Sequence, residues 1–284
     1  MLSAAVASKP YDLKSEYDSN GYVGPFTAFE RHEFARMGIV PLIESLEKTR
    51  EWARNRHLDI PAIANLCRQE RIISCVRAVL GPNLLIWRTN IFAVRSNGIG
   101  LGWHQDLYRT LLDCPPGAAN CSAQINFTDS TKLNSVSVIP GSHRWSDEEL
   151  RERAYRMKPG SDQGAYGTPN WEVPSNADVR DVRMMAGQFY VFHPRLLHAS
   201  VRARWFRGTA DPKSFAPRMK QRWLKKWETW SGQSAVRYSI TLRIATPDTK
   251  VLPAAFVEAP TRATSVLFAG TDPCGINNLG PWAN

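Results

Sequence analysis

Paired cysteines, long apolar runs, internal repeats and a surplus of acid are all missing from this chain. The five cysteines, Cys67, Cys75, Cys114, Cys121 and Cys274, are odd in number, scattered, and form no Cys-x-x-Cys pair. That excludes a disulfide framework and a zinc ribbon, and it suits buried thiols in a reducing cytoplasm. No apolar run approaches the roughly 20 residues of a membrane span. Residues 1–10 carry neither a basic n-region nor a long apolar h-region, so a secretory leader is not expected. Without a repeat, solenoids and propellers drop out. Acid is the minority charge, with 26 Asp and Glu against 36 Lys and Arg and a net charge of +10. What is present is a 284-residue chain of 43% hydrophobic content, enough for one large core and read as a single domain over 1–284.

The informative residues begin at Gly102-Trp103-His104-Gln105-Asp106. On a strand, residues i and i+2 share a face, so the His104 imidazole and the Asp106 carboxylate can reach one ion from one side. A third ligand is available in Phe192-His193-Pro194-Arg195-Leu196-Leu197-His198-Ala199-Ser200. The Leu-His-Ala-Ser setting favours His198 over His193, which would then touch substrate. Two imidazoles and one carboxylate on one face of an ion form the facial triad of non-haem Fe(II) oxygenases, which leaves positions for a co-substrate and O2. Downstream, Ala235 to Ile244 alternates like a strand, with Arg237 and Ser239 on one face and Thr241 and Arg243 likewise paired. An arginine with a nearby hydroxyl suits a dicarboxylate such as 2-oxoglutarate. Arg237 is the first choice for that clamp and Arg243 the alternative.

The remaining pattern places these motifs. Residues 27–56 and 60–80 read as helices with apolar stripes, the second stopped by Gly81-Pro82. Strand signals follow at 84–94, 121–128, 135–139, 180–184, 187–192 and 236–245. A short helix is expected at 146–156, capped by Ser146. Arg88 and Asn90 alternate on one strand face and are expected to line the substrate pocket. Ser122 and Gln124 share another and are expected to point towards 2-oxoglutarate. His143 is expected only to support a turn. Helices first and strands after favour an antiparallel β-barrel or jelly roll with helices on one side.

Taken in order, these motifs resemble the phytanoyl-CoA dioxygenase superfamily of Fe(II)/2-oxoglutarate enzymes. The likeness runs from about Asp12 to Thr249 and rests on several segments. These are Leu85-Ile86-Trp87-Arg88-Thr89-Asn90, Trp103-His104-Gln105-Asp106, Phe127-Thr128-Asp129, Val138-Ile139-Pro140-Gly141-Ser142-His143, Met185-Ala186-Gly187-Gln188-Phe189 and Leu197-His198-Ala199-Ser200. The resemblance implies a mainly β double-stranded β-helix with N-terminal supporting helices. It also implies Fe(II), 2-oxoglutarate and O2 as cofactors, with ascorbate as a reductant. Within the superfamily the chain is most similar to the chlorinating enzymes of nonribosomal-peptide pathways. Those enzymes have Gly or Ala where this chain has Asp106. The retained carboxylate implies oxygenation, most simply hydroxylation, with succinate and CO2 as co-products. A second departure is the long interval between His198 and Arg237.

That interval, 199–236, holds most of the excess charge: Arg202, Arg204, Arg207, Lys213, Arg218, Lys220, Arg222, Lys225 and Lys226, opposed by Asp211 and Glu228. Trp223, Trp227 and Trp230 stand at helical spacing within it, which suits packing on the barrel. A basic rim fits an acidic small molecule, an amino acid, or an amino acid tethered to an acidic carrier protein. The oxidative alternatives are desaturation, cyclisation and epimerisation. From a different class, a non-catalytic barrel could use the basic, Trp-rich segment to bind an acidic macromolecule. The intact metal set argues against that reading and against nucleic acid.

Overall fold

A computed structural model describes residues 12–49, 52–95, 101–106, 108, 110–131, 134–152, 171, 173–174, 176–200 and 236–284. Most of the basic segment 199–236, including Trp223, Trp227 and Trp230, lies outside these residues, as do 96–100 and 153–170.

The N-terminal part is helical. Helix α1, Leu13–Asn20, is capped by Asp12, whose side chain accepts from the amides of Lys14 and Ser15. Strand β1, Tyr22–Thr27, follows, then α2, Arg31–Arg36, and α3, Ile39–Leu46. The single helix expected over 27–56 is therefore a strand end and two short helices. Gly38 divides them in a left-handed conformation (φ 65°) that apolar periodicity does not reveal. The helix expected over 60–80 is likewise two, α4 Pro61–Cys67 and α5 Glu70–Leu80. Between them Gln69 is extended, and its side chain caps α5 through the Glu70 amide.

Strands make up the rest: β2 Leu84–Arg95, β3 Leu112–Asp113, β4 Asn120–Asn126, β5 Val136–Val138, β6 Arg180–Val182, β7 Gln188–Phe192, β8 His198–Ser200, β9 Val236–Ala245, β10 Lys250–Val251 and β11 Val266–Ala269. Helix α6, Asp147–Glu152, starts at Ser146, whose hydroxyl accepts from the Glu149 amide while the Glu149 carboxylate accepts from the Ser146 amide. The main sheet has the order β1-β7-β4-β9-β2-β11, a second sheet the order β6-β5-β8, and β3 pairs with β10. The chain is mainly β, a jelly roll with its helices on one side.

Register fixes the two faces of the main sheet. Arg88 pairs with Arg243, Asn90 with Thr241 and Val94 with Arg237. Across the other edge of β9, Ser122 pairs with Arg243 and Gln124 with Thr241. Directly paired residues project to the same side, so one face of the sheet is polar and cationic. The opposite face carries Ala123, Ile125, Ile240, Leu242 and Ile244, all in one apolar cluster with Ile63, Leu66, Ile72 and Val76 of the helices. The helices thus cover the apolar face and leave the polar face to the barrel interior.

Candidate metal centre

His104 and His198 sit on facing backbone segments, joined by reciprocal bonds in which each amide donates to the other's carbonyl at 3.0 Å. The Asp106 amide donates to Pro194 O at 2.7 Å. Nδ1 of His104 lies 2.7 Å from Gly102 O, and Nδ1 of His198 lies 2.9 Å from Leu196 O. A carbonyl can only accept, so Nδ1 carries the proton in both rings. The Nε2 lone pair is then left for a Lewis acid, the usual arrangement behind a metal-binding histidine. Asp106 Oδ1 is 4.0 Å from His104 Nε2, and Oδ2 is 3.7 Å from His198 Nε2. One donor atom from each of the three residues lies within 4.8 Å of the others, and all three residues are buried. Oδ1 of Asp106 is buried without a hydrogen-bond partner among the described residues. Such an oxygen is costly unless a cation meets it, so the donor set fits a divalent ion that accepts imidazole and carboxylate together.

The electrostatics agree. Burial alone would raise the Asp106 carboxyl, but Arg243, His198 and His104 outweigh it and hold it at about 2. Burial, reinforced by His104, pushes the His198 imidazole down to about 4. At neutral pH the site therefore offers a carboxylate and, at His198, an uncharged imidazole.

A cavity of about 670 Å³ opens from these donors. Arg237, Gln124, Thr241, Arg243 and Ser200 contribute its polar lining, and Phe92, Val94, Leu101, Val136, Phe192 and Ala199 its apolar walls. Arg237 is 4% exposed, and its Nε and Nη1 have no hydrogen-bond partner among the described residues. Burial lowers it only to about 10, so it stays cationic. Arg243 is engaged differently: its Nη1 bonds Asp106 Oδ2 and donates to Ser122 Oγ at 2.7 Å. Ser239 shares Arg237's face and is fully buried, with its hydroxyl lacking a partner among the described residues, but it does not line the cavity.

Three expected substrate contacts are placed elsewhere. Arg88 and Asn90 do not line this cavity. Arg88 Nε donates to Asn90 Oδ1 at 3.2 Å, its Nη1 to Ala255 O at 3.3 Å, and its Nη2 bonds Glu258. The C-terminal segment has claimed a guanidinium that strand alternation had assigned to the pocket. His193 lies on the other side of Asp106, in a smaller cavity of about 360 Å³ with Tyr108, Cys114, Asn120 and Arg195. Its Nδ1 accepts from the Arg195 amide at 3.0 Å. His143 does support a turn, with Nε2 3.1 Å from Asp18 O.

Other residues escaped the sequence reading. Ser200 follows His198 by two and was legible from strand alternation. Tyr190 is fully buried on the register position paired with Gln124, and its hydroxyl lacks a partner among the described residues. Burial raises its phenol, and the charge of Arg237 opposes the shift. Arg54 and Glu258 line the cavity and pair at 3.0 Å. No motif surrounds either residue, so nothing in the sequence pointed to them.

Comparison with known proteins places this geometry in context. Residues 27–204 match the phytanoyl-CoA dioxygenase (PhyH) family. Ectoine dioxygenase of Nocardia farcinica (strain IFM 10152) is 37% identical over 86 residues, which is 29% of this chain and 29% of that enzyme. The matched region thus spans under a third of the relative's length. Among solved structures, CytC3 with Fe(II) and alpha-ketoglutarate superposes with a TM-score of 0.64 at 18% identity, covering 99% of this chain and 96% of that one. The nickel complex of the non-haem monooxygenase ThoJ gives 0.63 at 20% identity, covering 95% and 89%. At these identities the likeness establishes the fold.

Proposed function

Because the chain belongs to the phytanoyl-CoA dioxygenase family, we propose that this dioxygenase uses Fe(II) and 2-oxoglutarate to hydroxylate an unactivated C–H bond of a small, amino-acid-derived molecule. The observation that carries this reading is one cavity lined by His104, Asp106 and His198 and by the buried guanidinium of Arg237. His104 Nε2, His198 Nε2 and Asp106 hold the iron. When bound, Fe(II) supplies the redox chemistry by which O2 oxidises 2-oxoglutarate to succinate and CO2 and the substrate to its hydroxylated product.

The chain's own residues do the rest. The carbonyls of Gly102 and Leu196 fix the imidazole tautomers. Arg237 pairs with the far carboxylate of 2-oxoglutarate, and the Thr241 hydroxyl and Gln124 amide that line the same cavity are the polar groups beside it. Phe92, Val94, Leu101, Val136 and Phe192 exclude water and receive the apolar part of the substrate. By resemblance to the chlorinating branch, the Asp106 carboxylate fills a position otherwise open to halide, which favours oxygen insertion.

A screen of ectoine and other small amino-acid derivatives, free and carrier-tethered, read by succinate release and product mass, tests this. Gain of one oxygen in a product formed with succinate is expected. Loss of two hydrogens would assign desaturation or oxidative ring closure, which NMR connectivity separates. Unchanged mass with altered chromatography would assign epimerisation, with an added reductant such as ascorbate supplying the two electrons that the substrate then does not. No iron-dependent succinate with any substrate would reject the reading.

A further inference from the structure

We propose that Arg243 is a positioning residue that leaves Asp106 a single oxygen for the metal. This rests on the Fe(II)/2-oxoglutarate reading above and adds a role that the clamp arginine does not fill. Arg243 and Arg237 share one face of β9, yet they are engaged differently. Arg237 has no partner at Nε and Nη1 among the described residues. Arg243 Nη1 is bonded to Asp106 Oδ2 and to Ser122 Oγ. Its guanidinium carbon lies 5.3 Å from the Tyr108 ring centroid and 6.0 Å from that of Phe192. Two aromatic faces and one hydroxyl therefore fix the plane and position of the charge.

The consequence falls on the carboxylate. Its backbone is tethered through the Asp106 amide to Pro194 O. Oδ2 is taken by Arg243, while Oδ1 remains buried and without a partner among the described residues. A carboxylate with both oxygens free can bind a metal through one or both. Two-oxygen binding would consume one of the positions that a chelating 2-oxo acid and O2 require. Arg243 prevents this by occupying Oδ2. A lysine at 243 would keep the charge but lose the planar fork.

The test is an anaerobic titration of Fe(II)-loaded protein with 2-oxoglutarate, followed by the visible charge-transfer band of a 2-oxo acid chelated to Fe(II). Wild type, Arg243→Met and Arg243→Lys are compared. Fe(II) binding is measured separately by equilibrium dialysis, and the fold is checked by near-ultraviolet circular dichroism. Arg243→Met is expected to stay folded and to keep Fe(II) affinity within about tenfold, while its 2-oxoglutarate affinity falls by about tenfold or more. Its band should also shift in energy. Arg243→Lys should recover only part of the loss. Wild-type affinity and band energy in Arg243→Met would overturn the proposal. So would loss of all iron binding in a folded Arg243→Met, since Arg243 would then be needed for Asp106 to bind at all. Should Arg243→Met not fold, Arg243→Lys decides by the same criterion, and wild-type behaviour there overturns the proposal. Absence of the band in wild type would remove the Fe(II)/2-oxoglutarate reading itself, and this inference with it.

Discussion

A buried guanidinium whose Nε and Nη1 lack a hydrogen-bond partner among the described residues is an expensive group, and Arg237 is one. A charge there is tolerable if an anion arrives to meet it. Removing one partner of a buried ion pair costs about 3–5 kcal/mol. Arg237→Ala should therefore raise the KM for 2-oxoglutarate by roughly 100-fold or more, with Fe(II) binding nearly unchanged by dialysis. If Arg243→Ala rather than Arg237→Ala shows that phenotype, the clamp is misassigned. A second prediction concerns acid. His57 is fully buried, with Nδ1 2.9 Å from Thr89 Oγ1, and burial pushes its imidazole down to about 3. Burial, then His143 and Arg195, push His193 down to about 4. Unfolded imidazoles protonate near 6.5. Between that value and the folded ones the unfolded state holds more protons, so stability falls as pH falls. Each such group contributes about 1.4 kcal/mol per pH unit. The urea midpoint of metal-free protein should drop from pH 6.5 to pH 5, with a shallower slope in His57→Asn. A flat profile would contradict the burial of these rings. The grouping of His104, Asp106 and His198 as candidate metal donors was legible because a His-x-Asp spacing and a strand-borne histidine carry their geometry locally. The Arg243–Asp106 pair was not, since it depends on a contact between residues far apart in sequence that no local pattern encodes.

Elements with a clean two-residue period could be read directly, as β2 and β9 show. Their apolar and polar faces sort as alternation requires, and β9 runs over Val236–Ala245, the segment where strand signal was expected. The N-terminal helices were harder. Apolar spacing continues across Gly38 and across Arg68-Gln69, while the backbone breaks at both. Arg88 shows the same difficulty in another form: its strand face was legible, but its capture by Glu258 was not. One junction is tightly specified. Gly187 enters β7 with φ 84°, and a Cβ there would sit 2.6 Å from Phe29 O. Its carbonyl also accepts from the amides of Ala28 and Phe29 at 3.0 and 3.1 Å. Gly187→Ala should cost about 1–3 kcal/mol, read as a lower urea midpoint at unchanged slope. An unaltered midpoint would show that this junction yields easily.

At the scale of the whole molecule, net charge and catalytic layout can be separated. The family match ends at residue 204, before β9 and both of its arginines. The segment between carries seven Lys and Arg against two acids, half of the chain's net charge of +10. If that charge meets an anionic substrate or carrier, reversing Lys220, Lys225 and Lys226 should weaken kcat/KM at low salt. The deficit should shrink as ionic strength rises, while substrate-independent turnover of 2-oxoglutarate survives. Unchanged kcat/KM at low salt would mean that the charge only faces solvent. The central claim is that His104, Asp106 and His198 form a metal centre that turns over 2-oxoglutarate. It is tested most directly by measuring succinate formed from 2-oxoglutarate and O2, with and without Fe(II), in wild type and in Asp106→Ala. The account predicts iron-dependent succinate in wild type and its near-abolition in a folded Asp106→Ala. Equal succinate from the two proteins, or none from wild type loaded with Fe(II), would contradict it.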